Sequence, residues 1–421
     1  MILSRHPLRF FKILMLMALF SFNHCWAEIT APPGGQMSSG EEQYAWDSKP
    51  YRNISAGNCK DCHQEIYRQW KGSMHAQSTA LSDPIHGAFY QALIGDPRKE
   101  GLTKKGKYPV CLKCHAPSAA LDKVTKLDAL PVYNEGVSCT SCHLFKQFKG
   151  TKRIDGKLNL GTDAYEMASV LQGPSGKVFT QKPLSGDIDT AASYHPYPIE
   201  SNTTLLRTTQ VCLGCHDQRN NFHGVPLCAT GDEFKDAQHF NCQQCHMPVN
   251  NGYADHSMAG GHVQAMLERG VVLTLETTKQ NGIINADVTL VNTLPHKLPT
   301  GAPFRNMYLK VTAYNVKGER VWQNFQKNPF IEAPDSVLRL ILLDGNGKPT
   351  IPPKAKQLGK DTRLKPKETR TWQYTIPSEE VAKVNVQLYY DLLWPKLKKK
   401  FKSIPAELKK PKVIARAEQR I

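Results

Sequence analysis

The pentapeptide C-x-x-C-H occurs five times in this chain of 421 residues, and this repetition constrains the fold more than any other feature. The copies occupy residues 59–63, 111–115, 139–143, 212–216 and 242–246. Two thiols one helical turn apart, followed directly by an imidazole, form the attachment pattern of a c-type haem. The thiols become thioethers with the haem vinyl groups, and the histidine coordinates the iron. We therefore predict five covalently bound haem c groups.

The motifs define fifteen predicted attachment residues. The cysteines are Cys59, Cys62, Cys111, Cys114, Cys139, Cys142, Cys212, Cys215, Cys242 and Cys245. The first iron ligands are His63, His115, His143, His216 and His246. Zinc sites also use C-x-x-C pairs, but zinc does not require a histidine after every second cysteine. A thioredoxin-like site needs one C-x-x-C in a βαβ context, not five copies.

Five haems within residues 57–269 leave too little chain for an ordinary hydrophobic core around five macrocycles. We expect the haems to be the core themselves, wrapped by short helices and irregular chain with almost no sheet. The motifs at 111 and 212 share the phrase V-C-L-x-C-H, and each is followed by another motif after a similar gap. This repeat predicts one single haem and two doublets, with the haems in contact within each doublet.

The sixth position of each iron separates two kinds of haem. An electron-transfer haem is usually closed by a second histidine, whereas a catalytic haem leaves that position open. Eight histidines outside the motifs follow residue 27, which is enough to close all five irons. The second ligands predicted from their sequence context are His75, His195, His256 and His262. The side chains predicted not to bind iron are those of His86, His223, His239 and Met258.

Residues 1–27 have the features of a secretory signal peptide. Arg5, Arg9 and Lys12 precede an apolar core at residues 13–20, which is too short to span a bilayer. We predict cleavage after Ala27 and a periplasmic or cell-surface location; the alternative is an uncleaved membrane anchor. No later run of 18 apolar residues exists, so we expect no transmembrane segment after cleavage. Residues 28–56 are rich in Gly, Pro and Ser and are expected to form a flexible lead-in.

From about residue 270 the pattern changes to short strands separated by turn signals. The predicted strands are residues 271–276, 284–292, 307–314, 320–325, 337–343, 369–376 and 384–390. Polar and apolar residues alternate cleanly over 384–390. We predict an antiparallel, Ig-like β-sandwich over residues 270–395. The fold class is therefore multidomain: a mainly helical and irregular multihaem domain followed by an all-β domain.

The formal net charge of the chain is +17. Residues 396–421 contain ten Lys and Arg but two Glu, so we expect a basic tail after the sandwich. Such a tail is either a solvated segment or a docking site for an acidic redox partner. Ionised haem propionates would offset much of the remaining charge, so the basic composition does not predict nucleic-acid binding.

Several phrases together resemble the cytochrome c-554 family over nearly the whole chain beyond the signal segment. They include CKDCHQEIYRQWKGSMHA at residues 59–76, CQQCHMP at 242–248 and HSMAGGH at 256–262. The resemblance implies that histidines in such phrases are second iron ligands, which supports His75, His195 and His256. The phrase HKLPTG at 296–301 resembles the G-H-x-x-P-T-G phrase of β-domains attached to multihaem cytochromes, with Pro295 replacing the glycine. It implies that His296 is also a second ligand.

These features predict a pentahaem electron-transfer protein that relays single electrons between redox partner proteins. Two alternatives remain open. One is a multihaem oxidoreductase that acts on a small nitrogen or sulfur species at one open haem. The other is a self-associating subunit of an extracellular cytochrome filament, in which a histidine binds the haem of the next subunit.

Overall fold

The computed structural model describes residues 51–178, 195–237 and 239–421 of the chain. The predicted signal segment and residues 28–50 of the lead-in lie outside the described residues. Short helices and irregular chain make up the part that carries the motifs, and strands dominate after residue 270. Within the described ranges, no helix is long and apolar enough to cross a membrane.

Short helices carry the motifs, as predicted. In the motif-bearing part they are α1 Gly57–Lys60, α2 Gln64–Lys71, α3 Pro84–Leu93, α4 Leu112–His115, α5 Pro117–Leu121, α6 Pro131–Asn134, α7 Cys139–His143, α8 Thr203–Leu206, α9 Gln210–His216, α10 Thr230–Phe234, α11 Cys242–His246 and α12 Gln264–Glu268. Three more lie among the later strands: α13 Pro329–Glu332, α14 Pro395–Lys400 and α15 Ala406–Lys409.

Local capping explains why two motif helices begin at their first cysteine. Ser138 precedes α7 and forms a capping box with Ser141, and Asn241 precedes α11 and does the same with Gln244. In each box the two side chains satisfy backbone N–H groups that the first helical turn leaves free. The residue before the first cysteine thus fixes where these two motif turns start.

Among the described residues of the motif-bearing part, the strands form four short ladders. They pair β1 Phe145–Phe148 with β2 Tyr165–Met167, β3 Leu171–Gly173 with β4 Ile199–Ser201, β5 Arg219–Asn220 with β6 Pro226–Cys228, and β7 Val249–Asn250 with β8 Tyr253–Ala254. The β3–β4 ladder is parallel, and the other three are antiparallel. Such small ladders agree with the prediction of very little sheet around the haems.

Ten further strands build the C-terminal region. They are β9 Val271–Gln280, β10 Ile283–Asn292, β11 Asn306–Tyr314, β12 Arg320–Gln323, β13 Val337–Leu338, β14 Leu340–Leu343, β15 Gln357–Asp361, β16 Thr369–Pro377, β17 Lys383–Asp391 and β18 Lys412–Arg420. One antiparallel sheet has the order β16-β10-β9. The other has the order β12-β11-β17-β18, with β13 also paired to β11, and β14 pairs separately with β15.

The two larger sheets share one hydrophobic core. Every second residue of β10, β11 and β17 is buried, among them Val288, Leu309 and Leu388. This alternation is that of strands with one face in a core and the other towards solvent. The arrangement is consistent with the predicted sandwich. The same core includes Ile85 and Ala88 of α3, so the sandwich packs directly against the motif-bearing part.

The basic segment at residues 396–421 is not a tail, which corrects the prediction. Its last part is β18, which pairs with β17 over nearly its full length. Helix α14 buries Leu397, and the following Phe401 is buried as well. The sequence did not predict this strand because it is rich in charged residues. The exposed positions of an edge strand tolerate such side chains.

Candidate haem sites

Each pentapeptide forms a single turn, as haem attachment requires. In the first motif the His63 amide donates to the Cys59 carbonyl over 2.9 Å, and in the second His115 donates to Cys111 over 3.0 Å. The third, fourth and fifth motifs lie within α7, α9 and α11. These turns place both thiols and the following imidazole close together in every copy.

One segment between motifs holds two of them in place. Tyr165 at the start of β2 is buried and stacks on Phe145, with ring centres 3.7 Å apart. Its hydroxyl accepts a hydrogen bond of 2.9 Å from the amide of Gly214, inside the fourth motif. A Cβ at position 214 would lie 2.1 Å from the Tyr165 ring, so this position requires glycine. A Cβ on Gly161 would similarly collide with the second motif, at 2.1 Å from the Lys113 carbonyl oxygen.

Cysteine thiols of different motifs lie close enough to shift each other's pKa. The contacting pairs are Cys59 with Cys139, Cys114 with Cys215, and Cys212 with Cys242. The first motif therefore lies beside the third, and the fourth lies beside both the second and the fifth. The contact between the fourth and fifth motifs agrees with one predicted doublet. The other predicted doublet consists of the second and third motifs. Their cysteines contact other motifs: the second motif contacts the fourth, and the third contacts the first.

Two motif histidines face a second histidine at the separation that an iron ligand pair needs. The ring centres of His63 and His195 are 6.2 Å apart, and those of His216 and His75 are 6.0 Å apart. Two imidazoles on opposite sides of one metal, with metal–nitrogen bonds of about 2 Å, have ring centres roughly 6 Å apart. Burial lowers the pKa of His75 to about 4 and that of His216 to about 3, so both are neutral, as metal ligands must be.

The second motif faces His86, a histidine predicted from the sequence not to bind iron. The ring centres of His86 and His115 are 4.0 Å apart, and Nδ1 of each is about 3 Å from the Ser78 carbonyl oxygen. The Nε2 atom of His86 is buried and has no hydrogen-bond partner among the described residues. Haem binding would separate these rings, because an iron between them needs more room than 4.0 Å.

The remaining two motif histidines each lie within electrostatic range of another imidazole. Burial lowers the pKa of His143, and the charge of His256 lowers it further. Burial likewise lowers the pKa of His296, with a smaller contribution from His246. These relations place His256 near the third motif and His296 near the fifth.

A shared hydrogen bond orients most of these imidazoles. Nδ1 contacts a backbone carbonyl oxygen at 2.6–3.0 Å in His86, His115, His143, His195, His246, His256 and His296. A metal-binding histidine typically donates one ring N–H in this way, which fixes the tautomer and leaves the other nitrogen for the metal. In His75, Nδ1 instead contacts the Met258 sulfur. Met258 thus helps to orient the His75 ring.

His262 lies in a different environment. Its ring contacts no motif histidine within the described residues, and its pKa is lowered to about 4 by burial and by the charges of Arg305 and Lys412. The sequence predicts His262 as a ligand, whereas the structure places it beside cations. His223 and His239, which are predicted from the sequence not to bind iron, are exposed.

Comparison with known proteins agrees with this geometry. The model of the cytochrome c554 and c-prime family matches residues 58–144. A crystal structure of a penta-haem cytochrome c552 from Thermochromatium tepidum is 48% identical in sequence, with a TM-score of 0.83, and the match covers 89% of this chain and 100% of that one. A DUF1425 family member from Shewanella sp. pv-4 matches 30% of this chain and 77% of its own, at 14% identity and a TM-score of 0.15, which is too low to support any conclusion. No curated protein matches.

The identity and coverage of the cytochrome c552 match establish the class of protein. This chain belongs to the family of multihaem c-type cytochromes that contains the penta-haem cytochrome c552. Its five C-x-x-C-H turns are attachment sites for five covalently bound haem c groups. The residues fit that group: neutral buried imidazoles face one another, and the buried Nε2 of His86 is free to bind a metal.

Proposed function

We propose that this protein is an exported pentahaem electron carrier in which every iron has two histidine ligands. Three histidine pairs with rings facing each other carry the proposal, and the other two motif histidines each lie within electrostatic range of a second imidazole in the same chain. The pairs are His63 with His195, His115 with His86, His143 with His256, His216 with His75, and His246 with His296. Bound haem supplies a reversible one-electron change at iron.

Closed iron coordination favours electron relay over the two alternatives. An oxidoreductase would need an open iron position for its substrate, and these pairs leave none. In a filament joined by intermolecular ligation, one iron would take its second histidine from the next subunit. That requires a motif histidine with no second histidine nearby in its own chain. The haem count and the iron spin states of the holoprotein test this assignment, because closed coordination requires every ferric iron to be low-spin.

The motif contacts support a branched route for the electrons. The first motif adjoins the third, and the charge of Cys142 in the third motif acts on Cys212 and Cys215 of the fourth. The fourth motif in turn adjoins the second and the fifth. The chain thereby holds the fourth attachment site at the centre and the first, second and fifth sites at three ends.

A basic surface lies close to one of these ends. We define it as the exposed side chains of Lys396, Lys399, Lys400, Lys402 and Lys410. Phe401, between these lysines in sequence, packs against Phe89 of α3 with ring centres 4.9 Å apart. His86 lies one helical turn before Phe89, facing the second motif. We propose that an acidic redox partner docks on this surface and exchanges electrons at the second haem.

Charge reversal at two of these lysines tests the docking surface. In the double variant Lys399→Glu, Lys400→Glu, we expect the reduced protein to be oxidised several-fold more slowly by anionic ferricyanide at low ionic strength. Oxidation by cationic hexaamminecobalt(III) should be faster, because the sign of the attraction is reversed. Both effects should fade at high salt as the charges are screened. Stopped-flow absorbance of the haem bands gives the rates.

Lys279→Glu with Lys317→Glu is the matched control, since both side chains are exposed on the sandwich and neither belongs to the defined surface. Equal effects of the two double variants would mean that only net charge matters, and the docking proposal would then fail.

The proposed location rests on the chemistry of the cofactor and on the signal-like residues 1–27. Covalent haem attachment takes place outside the cytoplasm, so the apoprotein must be exported. Fractionation of cells that mature c-type cytochromes should recover the haem-stained protein with the periplasm or the cell surface. Recovery of haem-free protein in the cytoplasm would contradict the proposed export.

A further inference from the structure

Arg305 lies where the sandwich meets the motif-bearing part, and it lacks an acidic partner. It directly precedes β11 and is half-buried. Its guanidinium donates one weak hydrogen bond, 3.3 Å from the Thr300 carbonyl oxygen. It forms no ion pair with any carboxylate in the part of the chain that the structure describes. A half-buried cation without an anion is costly, which indicates that another group supplies the negative charge.

Two glycines make room for this guanidinium. A Cβ on Gly261 would lie 3.2 Å from its Nη1 atom, and a Cβ on Gly301 would lie 2.9 Å from the same atom. Gly301 also has a φ of +79°, which favours glycine. The two glycines belong to the HSMAGGH and HKLPTG phrases, so both phrases shape the surroundings of Arg305 as well as carrying histidines.

Lys412 provides a second positive charge near Arg305. Lys412 of β18 donates a hydrogen bond of 2.5 Å to the His262 carbonyl oxygen. The charges of Arg305 and Lys412 both act on His262. Thr300, whose carbonyl oxygen accepts from Arg305, hydrogen-bonds through its hydroxyl to Thr230 at the start of α10. That helix lies directly against the end of the fourth motif, because a Cβ on its Gly231 would lie 2.7 Å from the Asp217 carboxylate. The carboxyl of Asp83 is within electrostatic range of Arg305, but burial raises its pKa and it forms no ion pair with Arg305. We call Arg305 and Lys412, together with the neutral imidazole of His262, the cationic cluster.

We propose that Arg305, assisted by Lys412, binds a propionate carboxylate of the haem attached at Cys212 and Cys215. This proposal rests on haem attachment at the fourth motif, as part of the proposed function. A guanidinium matches a carboxylate with two parallel hydrogen bonds and keeps its charge when partly buried. The contact would join the sandwich to the central haem. It would also raise the reduction potential of that haem. A free propionate carries a negative charge that destabilises the reduced iron, and pairing with Arg305 would neutralise this charge.

Replacing Arg305 with glutamine tests the contact through a potential rather than through electron-transfer activity. In Arg305→Gln holoprotein, we expect the reduction equilibrium of one haem of five to shift about tenfold towards the oxidised form, which is 59 mV for a one-electron couple. Arg305→Lys should recover much of this shift because the charge remains. Lys412→Gln should lower the potential of the same haem by less. Spectroelectrochemical titration gives the five potentials, and infrared redox-difference spectra follow the carboxylate bands.

Arg320→Gln is the matched control, because Arg320 is exposed on β12 and its loss changes the net charge equally. Unchanged potentials in both Arg305→Gln and Lys412→Gln would overturn the proposal and leave the cluster a purely structural role. If Arg305→Gln does not mature, Lys412→Gln alone decides. The spin states of the wild-type irons are measured separately, so failure of the histidine assignment can be distinguished from failure of this one.

Discussion

Replacing His86 with alanine is expected to convert one haem of five from a low-spin to a high-spin state. In the structure His86 faces His115, and its buried Nε2 has no other partner among the described residues. Loss of this imidazole would leave the second iron with an open position. Ferric spectra should show one-fifth of the haem as high-spin, and the reduced protein should bind about one carbon monoxide per chain.

The matched control is His262→Ala. Both histidines are half-buried and lie outside the motifs. His262 lies beside Arg305 and Lys412 rather than beside a motif histidine. We expect no change of spin state in this variant. If His262→Ala opens an iron and His86→Ala does not, the assignment is reversed and the sequence prediction of His262 as a ligand stands.

Replacing His296 with alanine is expected to open the fifth haem and to loosen the sandwich. The loop that carries His296 is held firmly: the buried Asn292 amide donates to the His296 carbonyl oxygen over 2.9 Å, and Leu298 pairs with Leu364 through two 3.0 Å backbone bonds. An iron ligand in such a loop would tie the sandwich to the haems by a metal bond. We expect a high-spin fraction of one-fifth and faster proteolysis between residues 270 and 421.

A salt-bridge network beside this loop provides a control for the His296 variant. Arg363 pairs with Glu233 of α10 and with Asp361, each at 2.8 Å, and Lys297 also pairs with Asp361 at 2.8 Å. The Arg363 and Glu233 side chains are nearly buried, so breaking their pair should cost about 3–5 kcal/mol. Glu233→Gln should therefore loosen the sandwich without changing any spin state. If His296→Ala behaves in the same way, His296 only supports the loop and does not bind iron.

The regular parts of this fold were predictable from sequence, and the reasons are local. The attachment turns follow from the C-x-x-C-H spacing, and β10 and β17 follow from clean alternation of polar and apolar residues. β18 was missed because Ile414 is its one buried side chain and charged residues occupy its exposed positions. Its place in the sheet depends on pairing with β17, which the segment itself does not reveal.

The second ligands were harder to predict because they depend on contacts between distant segments. His86 lies between the first and second motifs, in no phrase that marks a ligand, and only the fold brings it to His115 and the Ser78 carbonyl. The sequence context of His262, in the HSMAGGH phrase, predicts an iron ligand. In the structure, Gly261 makes room for Arg305 and Tyr390. Spacing along the chain likewise did not reveal that the second motif lies beside the fourth.

The central expectation is that each chain binds five haems and that each iron has two histidine ligands from the same chain. Intact mass and electron paramagnetic resonance of one sample of ferric holoprotein test this most directly. We expect five haem increments on a chain that begins at Glu28, and low-spin ferric signals from all five irons. Fewer than five increments, or a high-spin signal from the wild-type protein, would contradict the account, and the high-spin signal would favour an oxidoreductase with one open haem.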